Sequence, residues 1–282
     1  MNFTILVPTF NNLEYLKLFC KSIHENSSFN HQLIFHVNEG SDGSYDYIKQ
    51  RYQFTYSKEN IGLCSSLKKA SKLISNNYVI YAHDDMFFCK DWDKHLLNSI
   101  NEETDNLFYF SGTNISYKDG IINYNCGYGP NSFDQAKFDL FCKNDLSKDL
   151  QGSHWAPHVI HKDLWNKVGG FSLEFDPGDG SDPDLCMKLW NEGVRKFKCI
   201  SKFKVYHFGS VTARKRNIFI NNGTKKFLLK YGFNPRFFRK YYLQGDRKNI
   251  YEGPLNNPKF TFNMIIDLLI NKLKFYYYKL LQ

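Results

Sequence analysis

The sequence has no Cys-x-x-Cys pair, no long apolar run and no Gly-x-Gly-x-x-Gly turn. Its seven cysteines (Cys20, Cys64, Cys89, Cys126, Cys142, Cys186 and Cys199) are odd in number and widely scattered. That pattern argues against a disulfide framework or a cysteine-based zinc module, and fits reduced thiols in a cytosolic compartment. No stretch approaches the length needed to span a bilayer. The opening MNFTILVPTF runs straight into a strand pattern, without the charged-then-apolar order of a signal peptide. The expectation is a soluble or surface-bound protein, cytoplasmic or peripheral on the inner face of the membrane. The missing glycine-rich turn after the first strand speaks against a dinucleotide-binding dehydrogenase. No internal repeat or low-complexity segment stands out.

What is present points to a folded chain. At 282 residues, with 42% hydrophobic and 23% charged, it can bury one large core, or one core with an appendage. The formal charge of +9 (37 basic against 28 acidic residues) is unevenly placed. Lys and Arg crowd the region after Lys196, notably TARKR (212–216) and RFFRKYY (236–242). A basic half implies an anionic partner: nucleic acid, a membrane surface or a phosphorylated substrate.

Along the chain, FTILVPTF (3–10) reads as a buried strand. Leu13, Leu16, Phe19 and Ile23 then fall on one face of a helix capped by Asn11 or Asn12. QLIFHVNEGSDGS (32–44) is a second strand ending in a turn, 54–62 a short strand and loop, and 63–74 a helix. This alternation predicts an open, mainly parallel α/β sheet, whose ligands sit outside the carboxyl ends of the strands. Asn38-Glu39 and Asp84-Asp85 fall at such ends. YVIYAHDDMFF (78–88) starts as a buried strand and stops at His83-Asp84-Asp85. Two adjacent carboxylates repel unless a cation or hydrogen-bond donors compensate, so the pair is either a solvated turn or a cation site.

Further on, SDPDLCMKLWNEGV (181–194) predicts a helix capped by Ser181 or Asp182, with Pro183 in its first turn. KVYHFGS (204–210) predicts a strand ending at His207, and another helix is expected over 223–231. The segment 260–281 is amphipathic rather than membrane-spanning, with Ile265, Leu269, Leu273, Tyr276 or Tyr277, and Leu280 on one side. Two expectations for it stay open. It contacts a membrane surface peripherally, or it packs on the preceding domain with its lysines in water.

The segments ILVPTFNN, VNEGSDGS, SKENIGLCSSLKKA, YAHDDM, GGFSLEFDPGDGSDPDLCMKLWNEG and VYHFGS, taken in this order, resemble family 2 glycosyltransferases of the GT-A fold. The resemblance covers roughly residues 3–210. It implies a Rossmann-like, mainly parallel sheet flanked by helices over 1–215, followed by a basic-aromatic helical extension over 216–282. It implies Asp85 as a metal ligand, Asp84 at the ribose or in the metal shell, and His207 as a further ligand, with Mn2+ or Mg2+ as cofactor. Imidazole suits Mn2+ better than Mg2+. His83 receives no role. Pro8, Thr9, Asn11, Glu39, Asn60 and Gly62 match the nucleotide pocket, and Asp182 matches the general base, with Asp184 as a supporting acid. Ser181 replaces a glutamate common in relatives. His154, Trp155 and His158 fall where relatives build the acceptor-facing wall. Locally, each has a plainer alternative: a helix cap for Asp182, a packed ring for His207 or Trp155, and a positive-φ turn at Gly40 and Gly43.

The implied activity is metal-dependent, inverting (hexosyltransferase-type) transfer of a monosaccharide from a nucleotide sugar, a UDP-sugar for preference. The acceptor would be a hydroxyl of a glycan or lipid-linked molecule, and the setting cell-surface polysaccharide synthesis. No nucleic-acid partner is expected. A nucleotidyltransferase of similar layout needs a glycine-rich, basic first loop, which PTFNN lacks. A non-enzymatic module for anionic surfaces would explain the basic end but not Asp85, Asp182 and His207.

Overall fold

The computed structural model describes residues 2–209, 222–245 and 249–281; the TARKR segment lies outside them. The first half alternates as the sequence suggests: β1 (Phe3–Phe10), α1 (Leu13–Asn26), β2 (Gln32–Asn38), α2 (Ser44–Lys49), β3 (Gln53–Ser57), α3 (Leu63–Ala70) and β4 (Tyr78–Tyr81). There follow β5 (Met86–Phe88), α4 (Trp92–Asn101), β6 (Phe108–Ser116), β7 (Ile122–Asn123), α5 (Gln135–Asn144), β8 (Leu150–Gln151), β9 (His158–His161), α6 (Lys162–Val168), α7 (Ser181–Asn191) and β10 (Lys196–His207). Beyond them lie α8 (Gly223–Tyr231) and α9 (Phe262–Leu280).

The sheet runs β3-β2-β1-β4-β9-β6-β10-β5, with β7 beside β6 and β8 beside β10. β3, β2, β1 and β4 are parallel. The antiparallel β9 joins β4 to β6, which is itself parallel to β10. Helices cover the sheet, so β1 and β2 read as nearly unbroken apolar runs and are buried almost throughout. Pro8 fits inside β1 because the pairing with β4 ends at Leu6↔Tyr81, leaving that stretch a neighbour on one side only.

Three expectations change. The strand from Tyr78 stops short of the aspartates as expected, but the run after them is a second, unanticipated strand: β4 is parallel to β1, and β5 antiparallel to β10. Asp84 and Asp85 therefore sit in the turn where the chain switches strands. Helix α7 is capped by neither Ser181 nor Asp182; its N-cap is Gly180, at φ 82°. A Cβ there would come within 2.9 Å of the Phe175 ring, so glycine is required on both conformational and steric grounds. Helix α1 begins after Asn12, whose side chain makes no cap bond; Asp42 accepts from the Leu13 amide instead, at 2.8 Å.

Apolar residues of the later segments join the same core as the sheet, among them Phe227, Phe233, Phe238, Leu243 and Met264. Helix α9 touches the body along Met264, Leu268 and Asn271. The Asn271 carboxamide accepts from the Asn234 amide at 2.9 Å. The apolar side anticipated from periodicity is the other one, and it faces solvent: Leu269 is 55% exposed and Leu273 72%.

Candidate functional site

Where β1 and β4 part beyond Leu6 and Tyr81, the carboxyl edge of the sheet opens. Asp84 lies buried in this opening and bridges it: its Oδ2 accepts from Thr9 Oγ1 at 2.6 Å and its Oδ1 from Asn12 Nδ2 at 3.1 Å. Burial, followed by repulsion from Asp85, pushes the Asp84 carboxyl up to about 7, although both hydrogen bonds pull the other way. The sequence marks Asn12 only as a candidate helix cap; the fold reveals that it faces Asp84.

Asp85 is 4% exposed and meets two imidazoles. His207, at the end of β10, brings Nε2 to 3.2 Å from Asp85 Oδ1. His83 brings Nδ1 to 3.3 Å from His207 Nε2 and 3.9 Å from Asp85 Oδ1. His83, left without a role by its sequence, is thus the third member of the cluster. Burial, then the neighbouring His207, pushes its imidazole down to about 4, so the ring is neutral near pH 7 with a lone pair to offer. Cis ligands about 2.1 Å from an octahedral ion stand about 3 Å apart, so the spacing of these three donor atoms fits one divalent cation. A set of two nitrogens and one oxygen suits Mn2+ and later first-row ions better than Mg2+ or Ca2+.

Asp182 stands in the first turn of α7. The residue is half-buried, yet its Oδ1 is sealed from solvent without a hydrogen-bond partner among the described residues. Burial pushes this carboxyl up to about 7. Burial raises the Tyr81 phenol well above its usual value, and the charges of Asp182, Cys64, Asp85 and Asp84 act in the same direction. Asp184, two residues on, does not support this group. It is fully buried and accepts from Ser172 Oγ (2.6 Å), Lys230 Nζ (2.8 Å) and Tyr231 OH (2.7 Å). Its position at α7 turns it away to hold α8 in place.

The residues expected at a nucleotide gather on the neighbouring rim. Asn11, at φ 46°, donates to Ser41 Oγ at 3.1 Å, and Ser41 donates to Glu39 Oε1 at 2.9 Å. Asn11 Oδ1 is buried with no partner among the described residues. Asn38 ties this rim to the next loop, accepting from the Ile61 amide at 3.0 Å. Asn60 closes that loop by accepting from the Gly62 amide at 3.0 Å. Gly62 has φ 86°, and a Cβ there would collide with the Asp176 carboxylate. Asp176, another residue given no role by the sequence, accepts from the Cys64 amide at 2.7 Å and from Ser65, filling the N-terminus of α3.

Of the anticipated acceptor wall, His158 belongs to the core, packed among Tyr81, Tyr109 and Phe171. Burial holds its imidazole down at about 3. Trp155 donates Nε1–H to the Gly112 carbonyl at 3.0 Å, and His154 contacts the Gly152 carbonyl.

The sequence profile of glycosyl transferase family 2 matches residues 4–158, more than half of the chain. The chain belongs to this family. No curated protein matches it. Among solved structures, Staphylococcus aureus TarS 1-349 in complex with UDP is 11% identical with a TM-score of 0.55, over 73% of this chain and 60% of that one. The same TarS fragment in complex with UDP-GlcNAc is 12% identical, TM-score 0.53, over 75% and 61%. GalNAc-T7 with UDP, GalNAc and Mn2+ is 13% identical, TM-score 0.56, over 73% and 44%. This chain therefore spans less than two thirds of the TarS fragment and under half of GalNAc-T7. At such identities the likeness establishes the fold, the GT-A arrangement of a mostly parallel sheet between helices.

Proposed function

We propose that the protein is a metal-dependent, inverting glycosyltransferase that moves a monosaccharide from a UDP-sugar to a hydroxyl of a glycan or lipid-linked acceptor, in cell-surface polysaccharide synthesis. One observation carries this reading. Asp85 and His207, far apart in sequence, lie 3.2 Å apart, with His83 beside both. The bound UDP of the TarS and GalNAc-T7 structures supports the choice of donor, and the Mn2+ of GalNAc-T7 agrees with the nitrogen-rich cluster.

His83, Asp85 and His207 would hold the ion, which when bound neutralises charge gathering on the departing diphosphate. The rim formed by Pro8, Thr9, Asn11, Glu39, Asn60 and Gly62 would seat the nucleoside, and Asp84, fixed by Thr9 and Asn12, would face its ribose. Asp182 takes the proton of the acceptor hydroxyl as that oxygen attacks the anomeric carbon. A carboxylate that gains little from internal hydrogen bonds is suited to this task, because its affinity for a proton is raised towards neutrality. Attack opposite the diphosphate inverts the anomeric centre in a single displacement.

The test is calorimetric titration of UDP with and without Mn2+, alongside a screen of UDP-sugars for metal-dependent hydrolysis. Wild type should bind UDP more tightly with Mn2+, and Asp85→Ala should lose that increment. A wild type indifferent to Mn2+, or an Asp85→Ala variant indistinguishable from it, sinks the metal-centred reading.

A further inference from the structure

We propose that α9 docks the protein on an anionic lipid surface, lying in the plane of the bilayer interface with its outward face in the acyl boundary. This stands on the surface of α9 itself and does not depend on the reading of the cleft. Met264, Leu268, Asn271, Phe275 and Tyr278 recur at three- and four-residue spacing and turn towards the body, with Lys225 Nζ 5.0 Å from the Tyr278 ring centre. The opposite face carries Phe262, Leu269, Leu273, Tyr276, Tyr277 and Leu280, each more than half exposed, from 55% at Leu269 to 86% at Leu280. Soluble proteins rarely leave so continuous an apolar stripe open to water.

Charge selects the occupant. The acid of this helix, Asp267, is paired with Lys240 (2.8 Å) and accepts from the Tyr241 hydroxyl (2.6 Å). The other charged groups of α9 are Lys272, Lys274 and Lys279, all exposed. At 3.6 residues per turn, Lys272 and Lys279 border the apolar stripe on one side and Lys274 on the other. Long cationic stems along both borders of an apolar face match a layer whose surface is negative and whose interior is hydrocarbon. Tyr276 and Tyr277 supply rings suited to the headgroup level. A second copy of the chain would bring lysine borders against lysine borders. No helix among the described residues is long and apolar enough to cross a membrane, so the geometry is interfacial.

The experiment is co-sedimentation of the full chain with phosphatidylcholine vesicles and with mixed phosphatidylcholine–phosphatidylglycerol vesicles, at low and high salt. Wild type should favour the anionic vesicles and release from them as salt rises. Replacing Lys272, Lys274 and Lys279 together by Gln should cost roughly 100-fold in that partition, at about fivefold per lysine. Leu269→Glu combined with Leu273→Glu should abolish binding with the thermal midpoint unchanged, since both side chains stand outside the core. The proposal is overturned if wild type ignores anionic vesicles, or if both variants bind as wild type does. It is equally overturned by a chain blind to vesicles that dimerises through this face, with Leu273→Glu dissolving the dimer.

Discussion

Two kinds of buried acidic region occur among the described residues, and they differ in how far their surroundings compensate the charge. At the start of α4, Asp93 is fully buried, but its Oδ2 accepts from the Ser28 amide (2.7 Å), the Phe29 amide (2.9 Å) and His31 Nε2 (3.0 Å). Burial pushes that carboxyl up, yet the bonds from His31, Phe29 and Ser28 together outweigh it and hold the group below its usual range. Asp184 is likewise enclosed by Ser172, Lys230 and Tyr231. In the cleft the balance is reversed. Asp182 Oδ1 has no hydrogen-bond partner among the described residues, and Asp84, though bonded by Thr9 and Asn12, is buried beside Asp85; both are raised to about 7. Asp93 and Asp184 brace the fold, whereas carboxyls raised by burial and like charge are of the kind that gathers at functional sites.

The comparison breaks most sharply at Asp182. Asp182→Asn should keep UDP binding and lose transfer by a factor on the order of 10²–10⁴, the usual contribution of a general base. Equal turnover in the variant would leave Asp182 a structural group like Asp93. The wild-type pH profile tests the same carboxyl. A base titrating at about 7 is mostly protonated below that pH, so kcat/KM should fall about tenfold per unit on the acid side and level off above. A rate flat from pH 5 to 8 would contradict it. On the braced side, Lys230→Met should leave the buried Asp184 charge with only neutral donors and a more distant Lys188, at 3.7 Å. Breaking a buried pair usually costs about 3–5 kcal/mol; since the Lys230 side chain is 30% exposed, a loss of about 2 kcal/mol is expected in denaturant unfolding. An unchanged midpoint would show that the clasp contributes nothing.

The sequence carried the alternating strands and helices and the strand-end position of Asp84 and Asp85, which follow from periodicity; His207 beside them is implied by the resemblance to family 2 glycosyltransferases. Other features depend on tertiary geometry that no local pattern encodes. The apolar MFF after the aspartates gave no hint of a separate strand, since β5 exists only by pairing with β10. Ser181 and Asp182 look like caps, but the left-handed backbone at Gly180 moves the cap one residue back. Asp182 and Asp184 look like one acidic pair. They part because Lys230 and Tyr231, 46 and 47 residues away, claim the second of them. Periodicity also marked the apolar stripe of α9 without telling which side would meet the core.

His83 sharpens the comparison at the smallest expected effect, because the paired and unpaired extremes meet in its surroundings. Its Nδ1 lies 3.3 Å from His207 and 3.9 Å from Asp85, contacts that are weak in themselves. If a cation is what the cluster lacks, removing one nitrogen donor should matter only when that cation is present. His83→Ala should therefore fold with wild-type stability and bind Mn2+ about tenfold more weakly, on the scale of losses at metal-site partners. Mg2+, which gains less from an imidazole, should lose less, so the preference for Mn2+ over Mg2+ narrows. Titrating both ions into wild type and variant separates the outcomes. An equal loss for the two ions would mean that His83 acts by shaping the turn, and destabilisation without any change in ion affinity would move it to the braced group beside Asp93.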